Sequence, residues 1–221
     1  VDDDMINGDY LYAFIEQWKT RGIDIFGCNF TNTQTAFEID RGIGVFNQEA
    51  KCTITDHCNG TTYPCPTASQ VHSTITDYCN SPTYPCPSGQ EVHNTFTGLR
   101  YGVNVSGTGN GLAVTSVYNA VFTNNPWGIY SGSSDDTKVV GCTFDVNGTD
   151  GPIGIYLENS PITDIYGNEF NSAGVSPTNI PAGIVAEDLG QTATPIYNNT
   201  FNDLAVGCSA QGGNKNGLQG L

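Results

Sequence analysis

VVGCTF at residues 139–144 and IYGNEF at residues 165–170 are one hexapeptide in two spellings, and IFGCNF at 25–30 and IYNNTF at 196–201 are two more. Aligning outward from these copies gives eight apolar anchors, Phe30, Ile54, Ile75, Phe96, Phe122, Phe144, Phe170 and Phe201, at intervals of 24, 21, 21, 26, 22, 26 and 31 residues. A repeat of this length without helical spacing is the mark of a solenoid.

The columns around the anchor predict the shape of each coil. Three residues before it stand Gly27, Lys51, His72, His93, Asn119, Gly141, Gly167 and Asn198. Gly and Asn dominate, so a left-handed bend is expected there. Two residues before it stand Cys28, Cys52, Ser73, Asn94, Ala120, Cys142, Asn168 and Asn199. These share the anchor's inward face by strand alternation, and stacked Asn amides would bond the coils above and below. Five residues before it, Ile25, Val117, Val139, Ile165 and Ile196 supply a further inward column. A second strand is expected at Ala36-Phe37, Gly102-Val103, Gly128-Ile129, Gly154-Ile155, Gly183-Ile184 and Gly207-Cys208. Tyr10 to Lys19 reads either as an amphipathic helix capping the rod or, the favoured reading, as another strand. The expected fold is all-β: a right-handed parallel β-helix of about eight coils forming a single domain over 1–221.

Composition narrows the function. The chain has 221 residues, a net charge of −15 and only seven Lys plus Arg, so a nucleic-acid partner is excluded on sign. No apolar run is long enough to span a membrane. Val1-Asp2-Asp3-Asp4 is no start of a precursor, and the chain reads as a piece of something longer. Eight Cys with few Lys suit a secreted or cell-surface protein.

Residues 53–73 (TITDHCNGTTYPCPTASQVHS) and 74–94 (TITDYCNSPTYPCPSGQEVHN) form a tandem duplication, expected to be two successive coils. Each copy holds Cys-x6-Cys. The favoured pairing closes a loop within each copy, Cys58–Cys65 and Cys79–Cys86; the alternative is a ladder across copies, Cys58–Cys79 and Cys65–Cys86. Cys28 and Cys52 form a further candidate pair. A metal reading would use His57, His72, His93 and these cysteines, but the cysteines lack the close spacing of a zinc site.

No catalytic set converges, and no catalytic residue is assigned. Asp135-Asp136 is the one adjacent acid pair resembling a glycosidase site, and its setting in SGSSDDT reads better as a solvated turn. No cofactor is called for; calcium is the ion that Asp2-Asp3-Asp4, Asp135-Asp136, Asp150 and Glu187-Asp188 would suit. Thr53-x-Thr55, Thr74-x-Thr76 and Thr95-x-Thr97 would stack into a flat Thr array of the ice-binding kind.

Over residues 10–210 the repeat resembles the right-handed parallel β-helices of the pectate-lyase-like superfamily. The stretch from Trp18 through Gly22-Ile23-Asp24-Ile25-Phe26-Gly27-Cys28-Asn29-Phe30 is similar to large secreted bacterial surface proteins. That resemblance implies the rod and leaves its use open, because the fold carries lyases, hydrolases, adhesins and spacers. The functional expectation is a non-catalytic scaffold or adhesin segment contacting glycans or cell-surface components, with export machinery or the rest of a larger chain as other partners. The alternative is a polysaccharide lyase or glycoside hydrolase incomplete here.

Overall fold

The computed structural model describes residues 13–20, 22–33, 41–55, 57–58, 91–108, 111–148, 151–160, 163–174, 180–189, 195–213, 215–216 and 219–220. The chain coils through three strands per turn. The first coil is β1 (Ala13–Trp18), β2 (Ile23–Phe26) and β3 (Asn29–Thr31). The second is β4 (Ile43–Gln48) and β5 (Lys51–Thr55), then the short pair β6 (His57–Cys58) and β7 (Glu91–Val92), then β8 (Thr95–Thr97). The third coil is β9 (Tyr101–Ser106), β10 (Val114–Tyr118) and β11 (Val121–Thr123), and the fourth is β12 (Trp127–Gly132), β13 (Asp136–Val140) and β14 (Thr143–Asp145). The fifth is β15 (Ile153–Glu158), β16 (Thr163–Tyr166) and β17 (Glu169–Asn171), and the sixth is β18 (Ala182–Glu187), β19 (Ile196–Tyr197) and β20 (Thr200–Asn202). β21 (Val206–Gln211) opens a seventh, and β22 (Lys215–Asn216) and β23 (Gln219–Gly220) pair antiparallel beyond it.

Stacking these coils makes three parallel sheets. The first sheet runs β1-β4-β9-β12-β15-β18-β21, the second β2-β5-β10-β13-β16-β19, and the third β3-β8-β11-β14-β17-β20. This is the expected all-β parallel β-helix. The favoured strand at the N-terminal end is also observed, as β1.

The third sheet carries the aromatic column. Phe30, Phe96, Phe122, Phe144, Phe170 and Phe201 stack at centroid spacings of 4.8, 4.8, 4.7, 4.7 and 5.1 Å, with rings within 11° of parallel. That spacing is the inter-strand distance of a sheet, so backbone ladder and ring stack share one repeat. Across the interior, each ring from Phe96 to Phe201 lies against a glycine of the first sheet. A Cβ added at Gly128 would sit 2.8 Å from the Phe144 ring and 2.5 Å from the carbonyl oxygen of Gly154, and Gly44, Gly102, Gly154 and Gly183 are equally confined.

Six anchors, not eight, form this column among the described residues. Phe30 pairs directly with Phe96, leaving no place for two coils between them. Ile54 is fully buried but belongs to the second sheet, in register with Ile25 and Val117. Its Thr-Ile-Thr surroundings copy the Thr-Phe-Thr of β8, and both are inward-facing apolar residues, so sequence alone assigned it to the wrong sheet. Ile75 lies outside the described residues. β6 and β7 pair antiparallel, His57 with Val92 and Cys58 with Glu91. The described ladders join Ile54 directly to Val117 and Phe30 directly to Phe96, and residues 59–90, which hold most of the duplicated segment, lie outside the described residues.

The same register removes the Thr array. Thr53 pairs with Asp24 and Ser116 in the second sheet, whereas Thr95 pairs with Asn29 and Val121 in the third. Thr74 and Thr76 lie outside the described residues. Likewise Ala36-Phe37 lies outside them, and the second coil's first-sheet strand carries Gly44-Val45 in that column.

The bends behave as their columns predict. Gly27, Asn119, Gly141, Gly167 and Asn198 have φ between 51° and 67° at the turn from second to third sheet. The other two corners turn the same way: Lys19, Glu49, Ser133, Asn159 and Asp188 follow first-sheet strands at φ 49–51°, and Gly98, Asn124 and Asp203 follow third-sheet strands. The Asn ladder also forms. Asn168 Oδ1 accepts the Cys142 amide at 2.9 Å while its Nδ2 donates to the Val139 carbonyl and to Asn199 Oδ1. Asn94 does the same for the Cys28 amide and the Ile25 and Thr55 carbonyls. At the first-to-second corner, the buried hydroxyls of Ser131, Ser134, Thr137 and Ser160 bond one another at 2.7–3.4 Å.

Replacing Phe144 with Ala removes a ring that is 1% exposed and stacked on both faces. A loss of about 3–5 kcal/mol of unfolding free energy is expected. Gly128→Ala adds one methyl group to the same layer from the opposite wall and is expected to cost about 1–3 kcal/mol. Denaturant titration of the two variants checks both; a neutral Gly128→Ala would mean that ring and strand can separate.

Candidate functional site

On first-sheet strands, residues one, four and six point outward while the third and fifth are buried, a pattern repeated in β9, β12 and β15. The outward positions of four successive coils collect an aromatic cluster edged with acids. Tyr101 is in register with Trp127, Tyr130 with Tyr156, and Glu158 with Glu187. Trp127 meets Tyr101 at 5.8 Å, Tyr130 at 5.9 Å and Tyr156 at 5.1 Å, and the two tyrosine rings stack at 5.6 Å. All four are half-buried. The guanidinium of Arg100 lies 5.3 Å from the centre of the Tyr101 ring, closing that end of the cluster.

At the other end each tyrosine reaches to the next coil. Tyr130 Oη donates to Glu158 Oε2 at 2.6 Å, and Tyr156 Oη donates to Glu187 Oε2. Gly132, without a side chain, leaves room for the Tyr130 ring to lie back along its own strand. Accepting carboxylates keep the phenols protonated. The hydrogen bond to Glu187, then burial, pushes Tyr156 from 10.0 up to about 12, and Tyr130 is raised further by burial and Glu158.

The second sheet presents a smaller outward group. Lys138 pairs with Asp164 at 3.4 Å and lies 5.7 Å from the centre of Tyr166, which stacks on Tyr197 at 4.9 Å. Asp136 begins the same strand as Lys138, and burial holds its carboxyl above the usual range, with Lys138 opposing and Asp164 adding. Its neighbour Asp135 is structural: the carboxylate accepts the amides of Gly111 at 2.6 Å and Ala113 at 2.9 Å. The acid pair of the sequence is thus split between a turn clamp and a sheet face.

The calcium candidates are dispersed too. Glu187 holds Tyr156, Asp188 accepts the Gly213 amide, and Asp2, Asp3, Asp4 and Asp150 lie outside the described residues. The Cys58, Cys65, Cys79 and Cys86 side chains also lie outside them, so neither disulfide pattern is addressed. Cys28 and Cys52 are not joined: each is a thiol, as are Cys142 and Cys208. Burial pushes the Cys52 thiol up to about 12. Cys28 and Cys142 donate to backbone carbonyls. Among the described residues no three His, Cys, Asp or Glu side chains converge in a way that could hold a metal ion.

A family model described as "Periplasmic copper-binding protein (NosD)" matches residues 7–219, almost the whole rod. The chain belongs to the NosD family. No curated protein and no solved structure matches it. The described part of this NosD-family chain offers no site for the metal in that description: burial keeps the Cys52 thiol protonated, the Cys142 thiol donates to the Val117 carbonyl, and no three metal-ligating side chains converge among the described residues. The aromatic cluster was not singled out from sequence, although a signal exists. Tyr-Gly-Val-Asn at 101–104, Trp-Gly-Ile-Tyr at 127–130 and Ile-Gly-Ile-Tyr at 153–156 repeat an outward-in-in-outward tetrad whose two outer members are both aromatic in the coil of Trp127.

Raised tyrosine pKa values fix the sign of a pH effect. The neutral phenol is favoured in the fold, so its contribution is complete below pH 10 and is lost as pH rises through the folded value of about 12 for Tyr156. Glu187→Gln removes the accepting charge and is expected to bring Tyr156 down toward 10.0. Ultraviolet tyrosinate titration reads this directly; an unchanged curve would mean that Glu187 does not hold the phenol.

Proposed function

We propose that this NosD-family chain is a non-catalytic, extracytoplasmic β-helical scaffold that contacts an extended glycan along the outer face of its first sheet. The observation that carries this reading is the Tyr101–Trp127–Tyr130–Tyr156 cluster, bordered by Tyr-held carboxylates. Aromatic rings supply apolar area for the C–H faces of sugars, and fixed polar groups at the margin orient hydroxyls. Coils advance about 4.8 Å each, close to the rise of one sugar in an extended chain, so a ligand along the rod axis meets equivalent positions in turn. The family's description as periplasmic supports the compartment, and the acidic charge of −15 agrees with a soluble wall rather than a polyanion binder.

The test uses Trp127 as reporter in a Trp18→Phe background, titrated with neutral, amino-bearing and uronate oligosaccharides. At least one neutral or amino-bearing series is expected to shift its emission, and Tyr156→Ala is expected to weaken that series about tenfold or more, in the range of an aromatic contact residue. Failure of every series to perturb Trp127 would end the glycan reading.

A second reading, copper binding, is favoured by the family description alone. The soft donors left for it are His57, His72, His93 and the cysteines of the duplicated segment, whose side chains, apart from that of His93, lie outside the described residues. Copper(I) competition titration should then show uptake that falls when the three histidines are replaced by Ala and persists when Cys52 and Cys142 are replaced by Ala. Uptake that followed Cys52 and Cys142 instead would place the metal in the rod wall and contradict this assignment.

A further inference from the structure

We propose that the second sheet carries a separate site for one neutral sugar ring, seated between Tyr118 and Tyr166 over Val140. On β13 the outward residues are Asp136, Lys138 and Val140, with Thr137 and Val139 buried between them. Val140 is in register with Tyr118 on one side and Tyr166 on the other, and Tyr166 is in register with Tyr197. Where two tyrosines are neighbours in this column their rings stack, Tyr166 on Tyr197 at 4.9 Å and 9°. Val140 interrupts the column with a short side chain. The backbones of Tyr118 and Tyr166 are thus two strand steps apart, about 9.6 Å. That is one stacking distance on each side of a single ring. β10, β13 and β16 each pair on both sides, so the notch lies within the sheet and not at an end of it.

Polar groups beside the notch select the ligand. Lys138 is the one basic residue between Arg100 and Lys215, and it stands in the column next to Val140. Its ammonium lies 5.7 Å from the centre of the Tyr166 ring and 3.4 Å from Asp164 Oδ2. A charge-assisted bond closes to about 2.7–2.9 Å, so this pair is slack. Asp164 Oδ1 is buried and has no hydrogen-bond partner among the described residues. Asp136 brings a second carboxyl into the field of Lys138, two residues back along the strand. Lys138 and Asp164 still keep 29% and 32% of their side-chain surface exposed, so a ligand can reach both.

Hydroxyls fit this set better than ions. A sugar hydroxyl both donates and accepts, so it can give its proton to Asp164 Oδ1 while accepting from Lys138. A uronate would meet two carboxylates on a chain of net charge −15, and a cation would have to displace Lys138 from them. A plain aromatic ring would fill the gap and leave Asp164 Oδ1 unsatisfied. A neutral pyranose meets both demands, with its C–H faces against the tyrosines and its hydroxyls at the edge. The site shares no residue with the first-sheet cluster and does not depend on it.

Reductive methylation of the full chain with carbon-13 formaldehyde makes its four lysines, Lys19, Lys51, Lys138 and Lys215, separate NMR reporters. Methyl glycosides of glucose, galactose, mannose and N-acetylglucosamine are titrated in turn. At least one is expected to shift the Lys138 signal saturably while those of Lys19 and Lys51 stay in place. Val140→Phe puts a ring into the gap and is expected to weaken that binding about tenfold or more, with the circular dichroism of the rod unchanged. Acetylation of the unaltered chain is the second measurement and decides the matter if Val140→Phe misfolds. The same sugar at saturation is expected to slow modification of Lys138 but not of Lys19. No response of Lys138 to any of these sugars, a shift that survives in folded Val140→Phe, or acetylation of Lys138 that the sugar does not slow would overturn the proposal. Because the reporter is Lys138 and not Trp127, failure here leaves the first-sheet reading to its own test.

Discussion

A benzene ring pressed against a glycine, repeated at the spacing of a β-ladder, is the constraint on which the rest of the rod depends. Phe96, Phe122, Phe144 and Phe170 occupy the interior between first and third sheets, and Gly44, Gly102, Gly128 and Gly154 give the backbone clearance opposite them. Neither member can grow or shrink alone. A larger residue at the glycine collides with the ring and with the carbonyl of the next coil, and a smaller one at Phe opens a void between two walls. The first coil shows the limit of the rule. Phe14 stands in register with Gly44's column, and its ring is 58% exposed, edge-on to Phe30 at 6.1 Å, rather than packed inside.

Much of this was legible from residues in series. The Gly or Asn column before the anchor bends as its chemistry demands, and Asn94, Asn168 and Asn199 bond between coils because amides on an inward face have no water to turn to. What misled was a local mimic. Thr53-Ile54-Thr55 matches Thr95-Phe96-Thr97 in pattern, but a three-sided coil has two inward columns of similar polarity, and only pairing distinguishes them. The bends after the first sheet were hidden for another reason: Lys19, Glu49 and Ser133 adopt left-handed φ without being Gly or Asn, held there by the ladders on either side.

The candidate site was hidden by dispersion. Tyr101, Trp127 and Tyr156 lie 26 to 29 residues apart and become neighbours only through stacking, and Glu158 and Glu187 reach their tyrosines from the following coil. Repeats advertise what every coil shares, whereas a binding face is made by what a few coils change. The first sheet illustrates the division: its third-residue column stays aliphatic from Ile15 and Val45 through Val103, Ile129 and Ile155 to Ile184, while the column of Tyr101 and Trp127 passes from Ile43 to Ala182.

The antiparallel contact of β6 with β7 has a bearing on how this chain came to carry two copies of one segment. His57 and Cys58 pair with Val92 and Glu91, so residues 59–90 are inserted between two ends that already meet, and the ladders on either side close without them: Phe30 meets Phe96, and Ile54 meets Val117. Doubling the length of a connection whose ends already meet adds only about 0.6 kcal/mol of closure entropy. A tandem copying event at this locus would thus be almost invisible to selection on folding, whereas a comparable insertion within β9 or β12 would break two ladders at once. The second coil is the place where this lineage can try new sequence at little risk to the rod.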